Sequence, residues 1–505
     1  MTDQKAKKQI ALIVLDGWGH REDVEDNAIA QAQTPFFDSL WNAYPHTTLD
    51  ASEENVGLPL GQIGNSEVGH MTIGAGRVID TDLVRITKAM KAGEFLTNPA
   101  MKRVFDHVRK YDSTLHLMGL VSPGGIHSHD AHLHGILKAA KEAGLRDVAI
   151  HAFTDGRDTP PQSAAKALKN LEALCRQLGL GFIATASGRF YAMDRDRNWD
   201  RTEKAKQAIF HGKGNTHQNM KASDAIAELY KDNALDEHLP PLVFLDETGK
   251  SYTLEDNDGV LFWNFRPDRA RMLSHLIAEA AQEKNICFVT LTEYDKNLKA
   301  HVAFAPLSID TTLAAEISRA GMTQAHIAET EKYPHATYFL NGGREEPHQG
   351  EEHIMIESRK DVPTHDLAPE MRAREIADAA ISRTVSGTDF IFINFANADM
   401  VGHTANKGPL LKAVETVDQE LGRVIAVLTA HGGVAFITAD HGNAEVNIDP
   451  ETGERHTAHT LNKVPAILTE KGRHLHDGSL ADIAPTILSL YNLPIPKSMT
   501  GKTLF

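Results

Sequence analysis

The feature that most constrains this chain is a recurring unit: a short, nearly unbroken apolar strand, a polar loop, then a helical stretch. It recurs in IALIVLDGWG (10–19), DVAIHAFTDGRDTPP (147–161), GFIATASGRFYAMDR (181–195), GVLFWNFRPDR (259–269), NICFVTLTEYD (285–295), DFIFINFANADMVGH (389–403) and GVAFITADHGN (433–443). Strands apolar on both faces need cover on both faces, which is the signature of parallel sheets between helix layers. Between the strands, Leu410, Val414, Val417, Leu421, Val424 and Leu428 are spaced along one helix face, and Leu168, Leu171, Leu174 and Leu178 repeat the pattern. The expected class is α/β, with largely parallel sheets covered by helices.

Open α/β sheets bind ligands in the loops beyond the strands' carboxyl ends. Here those loops fall into two chemical types. Near both chain termini they carry Asp, His and Ser; between about 115 and 270 they carry Arg. Two domains are expected, residues 1–80 with 306–505 and an inserted 81–305, which suits 505 residues. With 52 Lys and Arg against 68 Asp and Glu, the net charge of −16 argues against nonspecific nucleic-acid binding. No run nears the roughly 20 apolar residues of a membrane span, and Ile10–Leu15 is too short for a secretion signal. Cys175 and Cys287 make no disulfide framework. A cytoplasmic location, with no membrane or nucleic-acid partner, is expected.

Asp16 directly follows its strand; so do Asp399, with His403 four residues on, and the pair Asp440-His441, while RHTAHT adds His456 and His459. Each alone reads as a cap, a turn former or an incidental pair. Together they supply carboxylate and imidazole ligands enough for two metal ions of the Zn, Mn, Fe or Co kind, fit for a phosphoryl transfer. Ser66, in GLPLGQIGNSEVGHMTIGAG, is either a plain N-cap or a nucleophile. No base adjoins it in sequence, so coordination would supply its activation.

The middle segment offers Arg157 and Asp158, Arg189 and Arg195, and Arg266 and Arg269, all just after strands. Each reads singly as a surface ion pair; jointly they suit a small di- or trianion. HSHDAHLHG holds His127, His129, His132 and His134, which suits a helix start better than a further metal tract.

With both sets assembled, the chain resembles the cofactor-independent phosphoglycerate mutases of the alkaline phosphatase superfamily. The motifs run in order from LDGWG through GNSEVGHMTIGAGR, GGIHSHDAHL, FTDGRDTPP, SGRFYAMDRD, NFRPDRAR, LTEYD, EKYPHATYF, NGGREEP, ANADMVGHT and TADHGNAE to HTAHT. The resemblance implies an alkaline-phosphatase-like first domain with a transferase domain inserted. It implies interconversion of 2- and 3-phosphoglycerate in glycolysis and gluconeogenesis, without 2,3-bisphosphoglycerate; a monomer is expected. Ser66 would be the phosphorylated nucleophile and Lys332 would sit beside the transferring group. Asp16, Ser66, Asp440 and His441 would hold one Mn²⁺, and Asp399, His403 and His459 a second, with other divalent metals as substitutes. His127, Arg157, Asp158, Arg189, Arg195, Arg266, Arg269 and Lys332 would bind substrate, Asp158 handling the glycerate hydroxyls.

The chain departs from the usual pattern at HQGEEH after NGGREEP, at IESRKDVPTHDLAPEM, at HTAHTLN and at ADMVGHTA. None of these removes a ligand; they bear on loop conformation. The nearest rivals are a metal-dependent phosphatase or phosphopentomutase of the same superfamily, opposed by the Arg motifs, and a non-catalytic metal-binding protein, opposed by Ser66 and Lys332.

Overall fold

A computed structural model describes residues 8–505. The reading that the N-terminus holds no secretion signal rests partly on residues 1–7, which lie outside the described residues. The chain forms two compact units: the described part of Met1–Thr81 with Ser308–Phe505, and Asp82–Leu307.

The first unit is built on an eight-stranded sheet, in the order Glu351–Ile356, Gln324–Glu329, Phe390–Phe395, Ile10–Leu15, Val434–Thr438, Val464–Leu468, His46–Asp50, Gly478–Ser479. The first five strands are mutually parallel. Val464–Leu468 runs antiparallel to both its neighbours, Val434–Thr438 and His46–Asp50. The central strands Ile10–Leu15 and Phe390–Phe395 are buried at every position, as expected for strands covered on both faces. The helix Lys407–Ala430 buries Leu410, Val414, Val417, Leu421, Val424 and Leu428, the face read from their spacing.

The second unit has its own eight-stranded sheet: His301–Phe304, Cys287–Thr292, Gly259–Phe262, Leu115–Leu120, Val148–Thr154, Phe182–Gly188, Leu242–Leu245, Asn215–Gln218. Only the pairing of Phe182–Gly188 with Leu242–Leu245 is antiparallel. Alternate strand residues feed two cores, one on each face. Leu115, Leu117 and Leu261 enter one; Met118, Leu120, Val260 and Phe262 enter the other. Within this sheet several histidines are structural. Asp258, His116, His151 and Thr185 form a buried hydrogen-bonded row across four strands. No helix among the described residues is long and apolar enough to cross a membrane.

Candidate active site

In the first unit, four adjacent parallel strands end in the residues of interest. Lys332 follows Gln324–Glu329, Asp399 follows Phe390–Phe395, Asp16 follows Ile10–Leu15, and Asp440 follows Val434–Thr438. Adjacent carboxyl ends thus bring together residues more than 400 positions apart. The crowding there demands glycine: a Cβ on Gly17, at φ +74°, would stand 2.7 Å from Asp399 Cα.

Ser66 opens the helix Ser66–Ala75, but it is not the cap. Asn65 is, its side chain accepting from Val68 N. The Ser66 hydroxyl is left to face Lys332 Nζ at 2.7 Å, His441 Nε2 at 3.0 Å and Asp16 Oδ1 at 3.4 Å. The neighbours absent along the sequence are therefore present in space. Lys332 Nζ also donates to Asp16 Oδ1 at 2.6 Å and Asp399 Oδ2 at 2.7 Å. Burial lowers the Lys332 pKa, but the surrounding carboxylates of Asp16, Asp399 and Asp440 outweigh it and hold the ammonium charged. Burial works against ionised Asp399 too, yet Lys332 and the His403 and His459 contacts keep it far below the usual range.

Two sets of ligand atoms converge. Asp399 Oδ1 lies 3.3 Å from His403 Nε2 and 3.1 Å from His459 Nε2, and the two Nε2 atoms are 3.2 Å apart. Each ring turns its Nδ1 to a backbone carbonyl, Thr457 O for His403 and Gly64 O for His459. That turns both Nε2 atoms towards Asp399 Oδ1 and each other, where neutral rings offer lone pairs to a cation. Tetrahedral ligands at about 2.1 Å from an ion stand roughly 3.4 Å apart, so the spacing suits an ion. In the second set, His441 Nε2 lies 3.6 Å from Asp16 Oδ1 and 3.5 Å from Asp440 Oδ2. Asp440 Oδ2 is buried and meets no hydrogen-bond geometry, with only the imidazoles of His70, at 3.3 Å, and His441 nearby, so a cation there would satisfy it. The donors present fit divalent metal. His456 joins no group of converging ligand atoms among the described residues.

Several residues here had no sequence signal of their own. Asn394 donates to Asp16 Oδ2 at 2.8 Å and faces His70 Nε2 at 3.1 Å. Asn443 donates to Asp399 Oδ1 at 2.9 Å. Glu445 accepts from Gly19 N and Asn443 N, pinning the loops after two strands. Such partners orient the ligands they touch. Asn443 and Glu445 lie in TADHGNAE, where only alternation past a strand end would have hinted at them.

In the second unit, His127, Arg157 with Asp158, Arg189 with Arg195, and Arg266 with Arg269 follow four adjacent strands. Arg189 is 2% exposed, and its Nη1 donates to Asp155 Oδ1 at 2.7 Å and Asp158 Oδ2 at 2.6 Å. Its Nε is buried with no partner. Arg195 and Arg266 both reach Asp268, at 3.2 and 3.4 Å, and His127 Nδ1 lies 3.5 Å from the same carboxylate. Asp155 and Asp268, unread in the sequence, thus organise the set. Burial, then Arg189, Arg195 and Arg157, lower the Arg269 pKa, and burial with Arg189 takes His127 down to about 4. The loops meet at shared carboxylates: Asp268 takes Arg195, Arg266 and His127, and Arg189 spans Asp155 and Asp158. Arg157 remains exposed, at 3.4 Å from Glu237. His129 caps the helix Asp130–Glu142 and His132 bonds Thr87 Oγ1 at 2.9 Å, so that tract reads as a helix start.

Residues 86–296 match the family described as BPG-independent PGAM N-terminus, and residues 282–487 match type I phosphodiesterase / nucleotide pyrophosphatase. A 2,3-bisphosphoglycerate-independent phosphoglycerate mutase of Clostridium acetobutylicum is 48% identical over 99% of this chain and 100% of its own. One of Methanosarcina barkeri is 47% identical over 99% of this chain and 98% of its own. The crystal structure of Leishmania mexicana phosphoglycerate mutase at low cobalt concentration covers 100% of this chain and 98% of its own, at 28% identity and a TM-score of 0.62. Identity near one half over the whole length, with the acid, histidine and serine set at one sheet end, leaves one conclusion: this chain belongs to the 2,3-bisphosphoglycerate-independent phosphoglycerate mutase family.

Proposed function

We propose that the chain interconverts 3- and 2-phosphoglycerate through a phosphoseryl enzyme in which Ser66 takes and returns the phosphoryl group. The observation that carries this reading is one buried hydroxyl, 5% exposed, between the Lys332 ammonium and the His441 imidazole. Two Mn²⁺ ions are proposed, one on Asp16, Ser66, Asp440 and His441, the other on Asp399, His403 and His459. When bound, such ions lower the proton affinity of nearby oxygens and offset charge on the transferring group. The cobalt in the Leishmania mexicana crystals supports a divalent ion of this kind.

Lys332 donates to the phosphoryl oxygens, its charge held by Asp16 and Asp399 until then. His127 and the five arginines hold the glycerate, the guanidinium forks pairing with its carboxylate. Asp158, fixed by Arg189, orients the hydroxyls so that the second can accept what the first gave up. The free, buried Cys175 and Cys287 support a reducing cytoplasm, and a monomer is proposed. The test is a mutase assay without bisphosphoglycerate. Chelation should abolish isomerisation, and Mn²⁺ should restore it better than Mg²⁺, because three imidazoles are among the proposed ligands. Full activity after exhaustive chelation, or full restoration by Mg²⁺ alone, would contradict it.

The arginines yield a second expectation. Arg266 is exposed and paired only at 3.4 Å to Asp268, and Arg269 Nη1 donates to Met193 O at 3.3 Å, so alanine at either should leave the fold intact. Each charge-assisted bond to glycerate is worth about 1.5–3 kcal/mol. Losing one should speed glycerate escape roughly tenfold or more, stranding the phosphoenzyme for hydrolysis. Arg266→Ala and Arg269→Ala should then lower turnover while raising inorganic phosphate released per product formed. A parallel fall in both would mean the arginines do not retain glycerate.

A further inference from the structure

The edge of the first unit's sheet gathers a set of ligand-type side chains that no step above uses. Strands Gln324–Glu329 and Glu351–Ile356 pair in parallel, with Gln324 opposite Glu351 and His326 opposite His353. Side chains two apart along a strand share a face, so Gln324, His326, Glu351 and His353 all lie together. His326 Nδ1 is 3.4 Å and His353 Nε2 2.6 Å from the same oxygen, Glu351 Oε1. The two rings lie 5.7 Å apart. None of the three is open to solvent: the His326 and Glu351 side chains are 0% exposed and that of His353 is 7%. His348 and His353 belong to the stretch HQGEEH, already singled out as unusual.

Burial takes His326 down to about 4, so the ring is neutral. Burial opposes ionisation of Glu351, but His353, His326, Asn341 and the His348 N–H outweigh it and hold the carboxyl at about 2. A second observation points the same way. Asn341, 1% exposed, donates Nδ2 to Glu351 Oε1 at 2.7 Å, yet its Oδ1 is buried with no partner. The His348 ring Nε2 is likewise buried and unpartnered, although the His348 N–H donates to Glu351 Oε2 at 2.6 Å. Unpartnered buried polar atoms on two residues that bond the Glu351 carboxylate are unusual and point to a ligand the network lacks.

We propose that His326, Glu351 and His353 form a third metal site, for Zn²⁺, with a water completing four-fold coordination. Two imidazole nitrogens and one carboxylate oxygen are an established zinc donor set, and they disfavour Mg²⁺ and Ca²⁺. His326 Nδ1 donates to Ala336 O at 2.9 Å, so binding an ion there moves the ring proton to Nε2, where Gln324 Oε1 at 3.3 Å accepts it. The ion would clip the edge strand to its neighbour. It would also brace His335–Phe339, whose Ala336 O lies against the same ring. Its role is structural, and it stands or falls independently of the Ser66 chemistry.

The experiment strips the purified chain of metal, equilibrates it with buffered Zn²⁺, and measures bound zinc per chain by elemental analysis. It is repeated for His353→Arg and for His353→Asn. Arginine at this position can still pair with Glu351 but cannot bind metal. The proposal expects both variants to hold one zinc ion fewer per chain than the unaltered protein. The affected zinc should weaken more than about 100-fold, since even outer partners of a metal ligand are worth 10- to 100-fold. Mutase activity in Mn²⁺ should stay within about twofold, which reports an intact fold and separates this outcome from failure of the Ser66 reading. Equal zinc content in the unaltered chain and either active variant would overturn the proposal and leave the trio a hydrogen-bond network.

Discussion

Ser66→Ala should abolish isomerisation, by roughly 10⁴-fold or more, in a protein that remains folded. Removing a covalent nucleophile commonly costs that much or more, because transfer through the enzyme has no other acceptor. The structural cost is small. Asn65, not Ser66, caps the helix, so no cap is lost. What disappears is one acceptor for Lys332, which keeps its bonds to Asp16 and Asp399; the expected penalty is about 1 kcal/mol. Mutase rate beside a thermal melt checks both halves. Retained isomerisation in this variant would end the phosphoserine mechanism.

Lys332→Ala should act on stability as well as rate, and the two can be separated with metal. The ammonium bridges two buried carboxylates, Asp16 at 2.6 Å and Asp399 at 2.7 Å. Its own side chain is 4% exposed. Breaking a buried pair by deleting one partner costs about 3–5 kcal/mol. The metal-free variant should melt roughly 10 °C lower. Added Mn²⁺ should recover most of that, because divalent charge on the same carboxylates replaces the ammonium. Activity should stay at least about 100-fold down even with Mn²⁺, since the proposed mechanism has Lys332 donate to the transferring group. Equal stability of the metal-free variant and the unaltered chain would show that another group carries the counter-charge.

These two residues also mark how far the sequence could be read. Asp16, Asp399 and the Asp440-His441 pair were visible because apolar strands stop at them, and strand ends are where such folds place chemistry. Ser66 was visible as a serine in a glycine-rich stretch, yet its alternative role as a cap fell to Asn65, one residue away. Lys332 had no local signal: EKYPHATYF looks like any strand exit, and only family resemblance drew attention to it. Asn394 was hidden inside the apolar strand FIFINF, where one polar residue reads as an interruption. Asp155 and Asp268 looked like ordinary loop acids; what distinguishes them is the company of arginines from other loops, a property of the folded chain. The antiparallel strands had weaker patterns. HTTLD, at His46–Asp50, is short and half polar, and its pairing with Val464–Leu468 is set across more than 400 residues.

The most direct measurement follows the phosphoryl group itself. The manganese-loaded enzyme is mixed with phosphorus-labelled 3-phosphoglycerate, without bisphosphoglycerate, and quenched within one turnover. The digest is then searched for labelled peptides. The account predicts label on Ser66, appearing before labelled 2-phosphoglycerate and decaying as it forms. Label on a histidine, or 2-phosphoglycerate formed with no labelled peptide at any time, would contradict it.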